Sequence, residues 1–308
     1  MRAAFLGNAS WSVPSLDALA GSDHEVAVVI TRDPRPAGRG GRLRPTAVAD
    51  AARRLRLVVV ETPSAARAEG LEALRAAAPD VLVVVAYGEI LPPEVLDLPE
   101  VAPVNVHLSL LPALRGADPV RRAILEGLER TGVTTMRMDE GLDTGPILLQ
   151  EEEPIRPDDD AGSLGERLAG IGGRLLVETL AGLEAGTLKE RPQDHGAATM
   201  APKLKPEEEW IDWSRPAREV VRWVRALSPE PGARTRFRDR VLKVLRASTA
   251  DEDGGAPGSV VEASGDRFVV AGAEGSVALD LVIPEGRQPM SGAAFARGRR
   301  PEPGERLG

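Results

Sequence analysis

For the first two hundred positions, short apolar runs alternate with stretches of helical spacing. Ala3–Leu6 is apolar and ends at Gly7, and Val13–Ala20 has the period of a helix. Val26–Thr31 is a continuous β-branched run, the pattern of a strand buried on both faces. A helix over Thr46–Leu55, a strand over Leu57–Val60 and a helix over Gly70–Ala78 follow. Asp80–Ala86, DVLVVVA, is the strongest strand signal in the chain. Then come a short helix over Pro92–Leu98, a strand over Pro103–His107, a helix over Asp118–Gly127 and a strand over Thr131–Met138. Asp160–Gly186 is mainly helical. Strand–helix–strand alternation predicts an α/β fold with a parallel sheet covered on both faces. Ligands of such sheets bind beyond the carboxyl ends of the strands.

After residue 187 the pattern changes. Residues 188–209 are polar and rich in Pro, Lys and Glu, as in a linker between domains. One amphipathic helix spans Val220–Leu227, and short β-like runs follow at Val241–Leu245, Gly258–Ala263, Arg267–Ala271 and Val277–Ile283. Close spacing with Gly, Pro and Asp between them predicts a small barrel or sandwich. The chain is thus divided into a domain over 1–187, a linker over 188–209 and a domain over 210–308, with the tail Arg297–Gly308 expected to be mobile.

Composition narrows the chemistry. The length of 308 residues suits two domains. The chain has no cysteine, which excludes disulfides, thiol nucleophiles and Cys-ligated metals. His24, His107 and His195 lie far apart in sequence, so no metal is expected, and His24 and His195 are read as solvated. No apolar run reaches the roughly 18 residues of a membrane span, and MRAAFLGNAS reads as a buried first strand and not a signal peptide. The expected protein is cytoplasmic and does not enter membranes. Its net charge of −8 hides segregation: residues 32–44 sum to +4, 234–246 to +5 and 139–160 to −8. Basic patches of this kind can bind nucleic acid on an acidic protein.

Three segments carry candidate chemistry. In NVHLSLLPALRG, Asn105 and His107 are two apart on an expected strand, so their side chains share a face. An amide donor beside an imidazole can bind a developing oxyanion and exchange a proton; the alternative is a capping Asn and a structural His. In MDEGLDTGPI, glycines let the loop lie close to a ligand, and Asp143 can orient a His; the alternative is a plain acidic turn. TRDPRPAGRGGRLRP, too rich in Gly and Pro for regular structure, reads as a long mobile loop whose arginines suit phosphate.

Taken in order, VVVAYGEILP, NVHLSLLPALRGADPV and TGVTTMRMDEGLDTGPIL resemble the formyltransferase family that uses 10-formyltetrahydrofolate, and the resemblance covers nearly the whole chain. Within that family TRDPRPAGRGGRLRP resembles the basic loop, and PKLKPEEEWIDWSRPA the linker, of the branch that acts on a charged tRNA. The resemblance implies a Rossmann-like N-terminal domain followed by an OB-like β-barrel. It implies a catalytic set of Asn105, His107 and Asp143. Ser109, Leu110, Leu111 and Pro112, with Val85, Ala86, Tyr87 and Gly88, would line the folate site. Arg35, Arg39, Arg42 and Arg44 of the loop, and Arg234, Arg236, Arg238 and Lys243 of the barrel, would hold the acceptor stem of a methionyl initiator tRNA. The formyl donor would be 10-formyltetrahydrofolate, and the enzyme a monomer. Sequence departures from the family pattern are Asn8-Ala9 after the first strand, Asp118 after the R-G motif and Ser228 in the S-P-x-P turn. The remaining alternatives are a small-amine acceptor, hydrolysis of the folate, or a tRNA-binding protein without chemistry.

Overall fold

The computed structural model describes residues 1–37, 41–252 and 254–308. The chain divides into two compact units. The first comprises Met1–Pro119, Arg130–Pro154 and Gly165–Pro202; the second comprises Val120–Glu129, Ile155–Leu164 and Lys203–Gly308.

The first unit is built on strands β1 (Arg2–Gly7), β2 (Glu25–Thr31), β3 (Arg35–Ala37), β4 (Arg42–Arg44), β5 (Val59–Glu61), β6 (Val81–Val85), β7 (Ala102–His107), β8 (Arg130–Arg137) and β9 (Ile147–Pro154). Seven of them form one sheet in the order β5-β2-β1-β6-β7-β8-β9. The first five of that order run parallel. β8 is antiparallel to both neighbours, so the sheet is mixed where the alternation predicted it all parallel. All five residues of β6 are buried, as a run of Val and Leu at the sheet centre requires. α1 (Val13–Ala20), α2 (Ala47–Arg54), α3 (Ala68–Ala77) and α4 (Pro93–Leu96) follow their strands much as the periodicity predicts. α5 (Pro119–Leu125) falls almost wholly within the residues of the second unit. In α6 (Ala161–Glu184), a Cβ on Gly172 would stand 2.9 Å from the Val106 side chain, and one on Gly173 2.7 Å from the Pro14 carbonyl oxygen. Glycine at these two positions lets α6 lie directly against β7 and α1.

β9 has no counterpart in the sequence reading, because its second half is three glutamates. Each of them is neutralised: Glu151 by Arg174 at 2.6 Å, Glu153 by Arg167 at 2.5 Å, and Glu152 by Arg130. The arginine-rich segment is likewise more regular than expected. β3 and β4 pair as an antiparallel hairpin, with Arg35 opposite Arg44. Residues 188–202, read as linker, hydrogen-bond along the first unit. Arg191 and Ile147 exchange backbone bonds of 2.8 and 2.9 Å, and the Ala201 amide donates to the Arg115 carbonyl at 2.7 Å. His24 is buried, not solvated; desolvation first, and then the nearby Met1 amine, hold its pKa below the usual value.

The second unit has β10 (Ala233–Phe237), β11 (Arg240–Ala250), β12 (Val260–Glu262), β13 (Val269–Ala271), β14 (Ser276–Pro284) and β15 (Met290–Ser291), with α7 (Ala217–Leu227) and α8 (Gly292–Arg299). Its strands are antiparallel in the order β10-β11-β14-β13-β12, with β15 on β14. The C-terminal tail, expected to be mobile, closes this sheet. Leu307 bridges Phe237 and Arg306 bridges Ser259, so the last residues join the two edges. The Leu307 amide donates to the Gly258 carbonyl at 2.8 Å and the Gly308 amide to that of Arg236 at 3.1 Å. The tail covers part of both sheet edges and seats Leu307 in a core with Phe237, Phe268 and Phe295. Trp213 is buried in the same core, where its Nε1 donates to Thr235 Oγ1 at 3.0 Å.

Candidate active site

Asn105 and His107 project from the carboxyl-terminal half of β7 onto one face, with Val104 and Val106 on the other. Asp143 reaches the same spot from the glycine-rich loop between β8 and β9. Its carboxylate accepts from Asn105 Nδ2 at 3.1 Å through Oδ1 and from the Gly116 amide at 2.8 Å through Oδ2. Oδ2 also lies 3.7 Å from His107 Nδ1, an ion-pair distance. Thus the three polar residues singled out in the sequence, 38 positions apart at the widest, meet at one point.

The His107 ring is buried and its Nε2 lies 2.9 Å from the Leu114 carbonyl oxygen. A carbonyl only accepts, so Nε2 carries a proton in either charge state. The neutral ring therefore has its lone pair on Nδ1, and Nδ1 is the atom that takes up and releases a proton. The protonated ring turns Nδ1–H towards Asp143. Asn105 Nδ2 has two hydrogens, and the bond to Asp143 uses one. The other is left to donate to an oxygen arriving at the strand end.

Asp143 holds this position at a cost, since its φ of 53° is left-handed, which costs a non-glycine residue on the order of 1 kcal/mol. A residue absent from the sequence reading grips it there. Gln193 Nε2 donates to the carbonyls of Asp143 at 2.9 Å and Gly145 at 2.7 Å. Gln193 Oε1 accepts from Arg115 Nε at 3.1 Å and Nη2 at 2.6 Å. His195, exposed as expected, sits with Nδ1 3.2 Å from the same Arg115 Nη2.

The expected folate wall is a loop pair at the ends of β6 and β7. Ala86 and Gly88 are exposed at left-handed φ of 43° and 75°. Leu110 and Pro112 are half-buried, whereas Val85, Ser109 and Leu111 are buried. Ser109 Oγ is committed to the Ala113 carbonyl at 2.7 Å. The Tyr87 phenol faces the core and accepts from the Ala65 amide at 2.9 Å. Burial, and then Glu89, push its pKa up to about 12. The open surface of this wall is therefore backbone and small apolar groups, which fits a flat heterocycle seeking main-chain hydrogen bonds.

Asn8, the departure after β1, is a brace. Its Oδ1 accepts from Thr31 Oγ1 at 2.9 Å and from the Arg32 amide at 2.8 Å, and its Nδ2 donates to the Tyr87 carbonyl. Arg32 Nη2 adds a bond to the Gly88 carbonyl at 3.0 Å. The base of the arginine hairpin is thus tied to the loop after β6. On the hairpin Arg35, Arg42 and Arg44 are exposed and make no side-chain hydrogen bond or ion pair among the described residues; Arg39 lies outside the described residues. In the second unit the expected cations are differently placed. Arg234 pairs with Glu209 at 2.8 Å, and Lys243 donates to the Pro231 carbonyl at 2.9 Å. Arg238 is bound to Glu305 at 2.5 Å and to the Arg299 and Arg300 carbonyls. Arg236 is exposed and lies over the Trp210 ring at 5.0 Å.

Among the described residues no helix is long and apolar enough to cross a membrane, and no cluster of His, Asp or Glu is arranged to hold a metal ion. Residues 1–180 match the family model for formyl transferase, and residues 203–300 the model for the formyl transferase C-terminal domain. Among curated proteins, the methionyl-tRNA formyltransferase of Heliobacterium modesticaldum is 44% identical, with 100% of both chains covered. That of Pseudomonas paraeruginosa is 45% identical over 97% of this chain and 96% of its own. HypX from Aquifex aeolicus, solved in complex with tetrahydrofolic acid, superposes with a TM-score of 0.68 at 21% identity over 96% of this chain; the chain spans 46% of that longer protein. The phosphoribosylglycinamide formyltransferase of Bacillus halodurans is 28% identical with a TM-score of 0.51, covering 59% of this chain and 95% of its own. With both of its parts matched and full-length relatives well above 30% identity, the chain belongs to the formyl transferase family.

Proposed function

We propose that this chain transfers the formyl group of 10-formyltetrahydrofolate to the free α-amino group of methionyl initiator tRNA, giving N-formylmethionyl-tRNA for translation initiation. The observation that carries this reading is the likeness along the whole chain, second unit included, to enzymes of that name at 44–45% identity. The protein acts in the cytoplasm as a monomer.

The folate supplies an activated formyl group with N10 as its leaving nitrogen. The amine must attack as the neutral base. One N–C bond forms, the bond to N10 breaks, and one proton moves from the amine to N10. Asn105 offers its second Nδ2 hydrogen to the oxygen that becomes negative during attack. His107 Nδ1 takes the proton from the amine and returns it towards N10, while Asp143 faces the imidazolium formed in between. The formyl donor rests against Ala86, Gly88, Leu110 and Pro112, with Val85, Tyr87, Ser109 and Leu111 supporting that wall from behind. Arg35, Arg42 and Arg44 contact acceptor-stem phosphates from the hairpin, and the sequence resemblance assigns Arg39 the same role. On the barrel, exposed Arg236 is the residue free to contribute first, and Arg234, Arg238 and Lys243 do so only by exchanging their present partners.

The test offers purified protein and 10-formyltetrahydrofolate three conditions in parallel: methionyl initiator tRNA, methionyl elongator tRNA, and buffer. Rapid formylation of the initiator alone is the expected result. Folate turnover in buffer at the same rate, or formylation of neither tRNA, overturns the reading.

A further inference from the structure

Gln193 takes no part in the chemistry above, yet its amide has the most completely used hydrogen-bonding capacity around the site. A side-chain amide has two N–H donors and two acceptor lone pairs. Here both hydrogens go to carbonyl oxygens, of Asp143 and Gly145, and the oxygen accepts twice from one guanidinium. The reverse orientation would set N–H against N–H and O against O at every contact, so only one orientation is allowed. Both Gln193 and Arg115 are buried, at 6% exposure each. Among the described residues, the Arg115 side chain meets only the neutral acceptors Gln193 Oε1 and His195 Nδ1. A buried cation with no carboxylate in contact polarises the amide it grips and strengthens that amide's N–H donors. The next residue along, Gly116, gives its own amide to the Asp143 carboxylate. The backbone of Asp143 is therefore held by Gln193 and its carboxylate by Gly116 and Asn105, with Arg115 linking the two.

We infer that Gln193 is a positioning residue for Asp143, fixing the left-handed backbone that aims the carboxylate at Asn105 and His107. This rests on the formyl-transfer reading. Gln193→Glu separates positioning from folding. The glutamate still accepts from Arg115, giving the buried guanidinium a counter-ion, but it has no hydrogen for the Asp143 and Gly145 carbonyls and sets negative charge beside both. The expected result is kcat lower by about 10²-fold, the loss that a ~1 Å misplacement can bring. KM for either substrate is unchanged, and any fall in Tm leaves the protein folded at the assay temperature. With three histidines in the chain, the ring ¹H–¹⁵N signals of His107 are readily followed, and they move in Gln193→Glu in the direction seen for Asp143→Asn. Wild-type kcat in the variant, or a kcat that falls only with Tm while the His107 signals stay put, overturns the inference. Should the wild-type enzyme itself transfer no formyl group, the functional reading fails on its own, and the His107 signals still decide whether Gln193 positions Asp143.

Discussion

Residues 32–44 and 234–246 carry almost the same charge, +4 and +5, and the structure spends it differently. On the β3–β4 hairpin, Arg35 and Arg44 face each other across the strands, and neither they nor Arg42 meets a counter-ion among the described residues. Like charges placed opposite one another are a net cost to the free protein, and a phosphate would remove it. On the barrel, Arg234, Arg238 and Lys243 are already satisfied by Glu209, Glu305 and backbone carbonyls. A side chain so held must give up one partner to gain another. Local charge density in a sequence thus measures how many cations are present and not how many are available.

Removing the unpaired hairpin arginines should have the greatest effect. Arg35→Ala, Arg42→Ala and Arg44→Ala together should weaken initiator tRNA binding by on the order of 10²-fold and make the slope of log K against log salt shallower by about 3, one per phosphate contact. Tm should not change. An unchanged slope would mean these arginines do not touch phosphate. A smaller effect of a different kind is expected on the barrel. Arg238 anchors Glu305 and two carbonyls at the end of α8, so Arg238→Ala should lower Tm, while the folded protein loses far less affinity for tRNA than the hairpin variant does. A loss of affinity as large as the hairpin variant's at full Tm would show that Arg238 is as available to phosphate as the hairpin arginines.

The smallest expected effect lies in acid. Hydrogen bonds from Arg238 hold the Glu305 carboxyl below its ordinary range. A depressed carboxyl stabilises the fold above the unfolded value of about 4.3, and that contribution fades as pH falls through the lower folded value. Glu305→Gln should therefore flatten the acid limb of a stability profile below about pH 4.3, and the hairpin variants should leave that limb alone. Equal acid limbs for wild type and Glu305→Gln would show that the tail is not held by this pair.

Periodicity made much of this legible. A period of two placed Asn105 and His107 on one face, and glycines flanking Asp143 marked a loop able to approach them. The elements that escaped reading depend on partners distant in sequence. β9 is a strand because Glu151, Glu152 and Glu153 find arginines 14 to 23 positions or so away. The tail is ordered because Leu307 completes a barrel begun at Phe237. Gln193 sits in a polar stretch with the composition of a linker, and its contacts with Asp143 and Arg115 span 50 and 78 positions. The β3–β4 hairpin is masked by its Gly and Pro content, and the reversal of β8 follows from pairing that no local pattern records. Asn8 shows the opposite case: a residue flagged as a departure becomes, once β1, β2 and the loop after β6 converge, the bond that joins them.

Joint action of Asn105, His107 and Asp143 on the transferred group is checked by single-turnover formylation of methionyl initiator tRNA at saturating folate, run on wild type, Asn105→Ala, His107→Ala and Asp143→Asn. Loss of one oxyanion donor or of the proton carrier should slow transfer by at least ~10²–10³-fold, with Tm close to wild type and tRNA affinity retained. Turnover near the wild-type rate in either Asn105→Ala or His107→Ala would contradict the account.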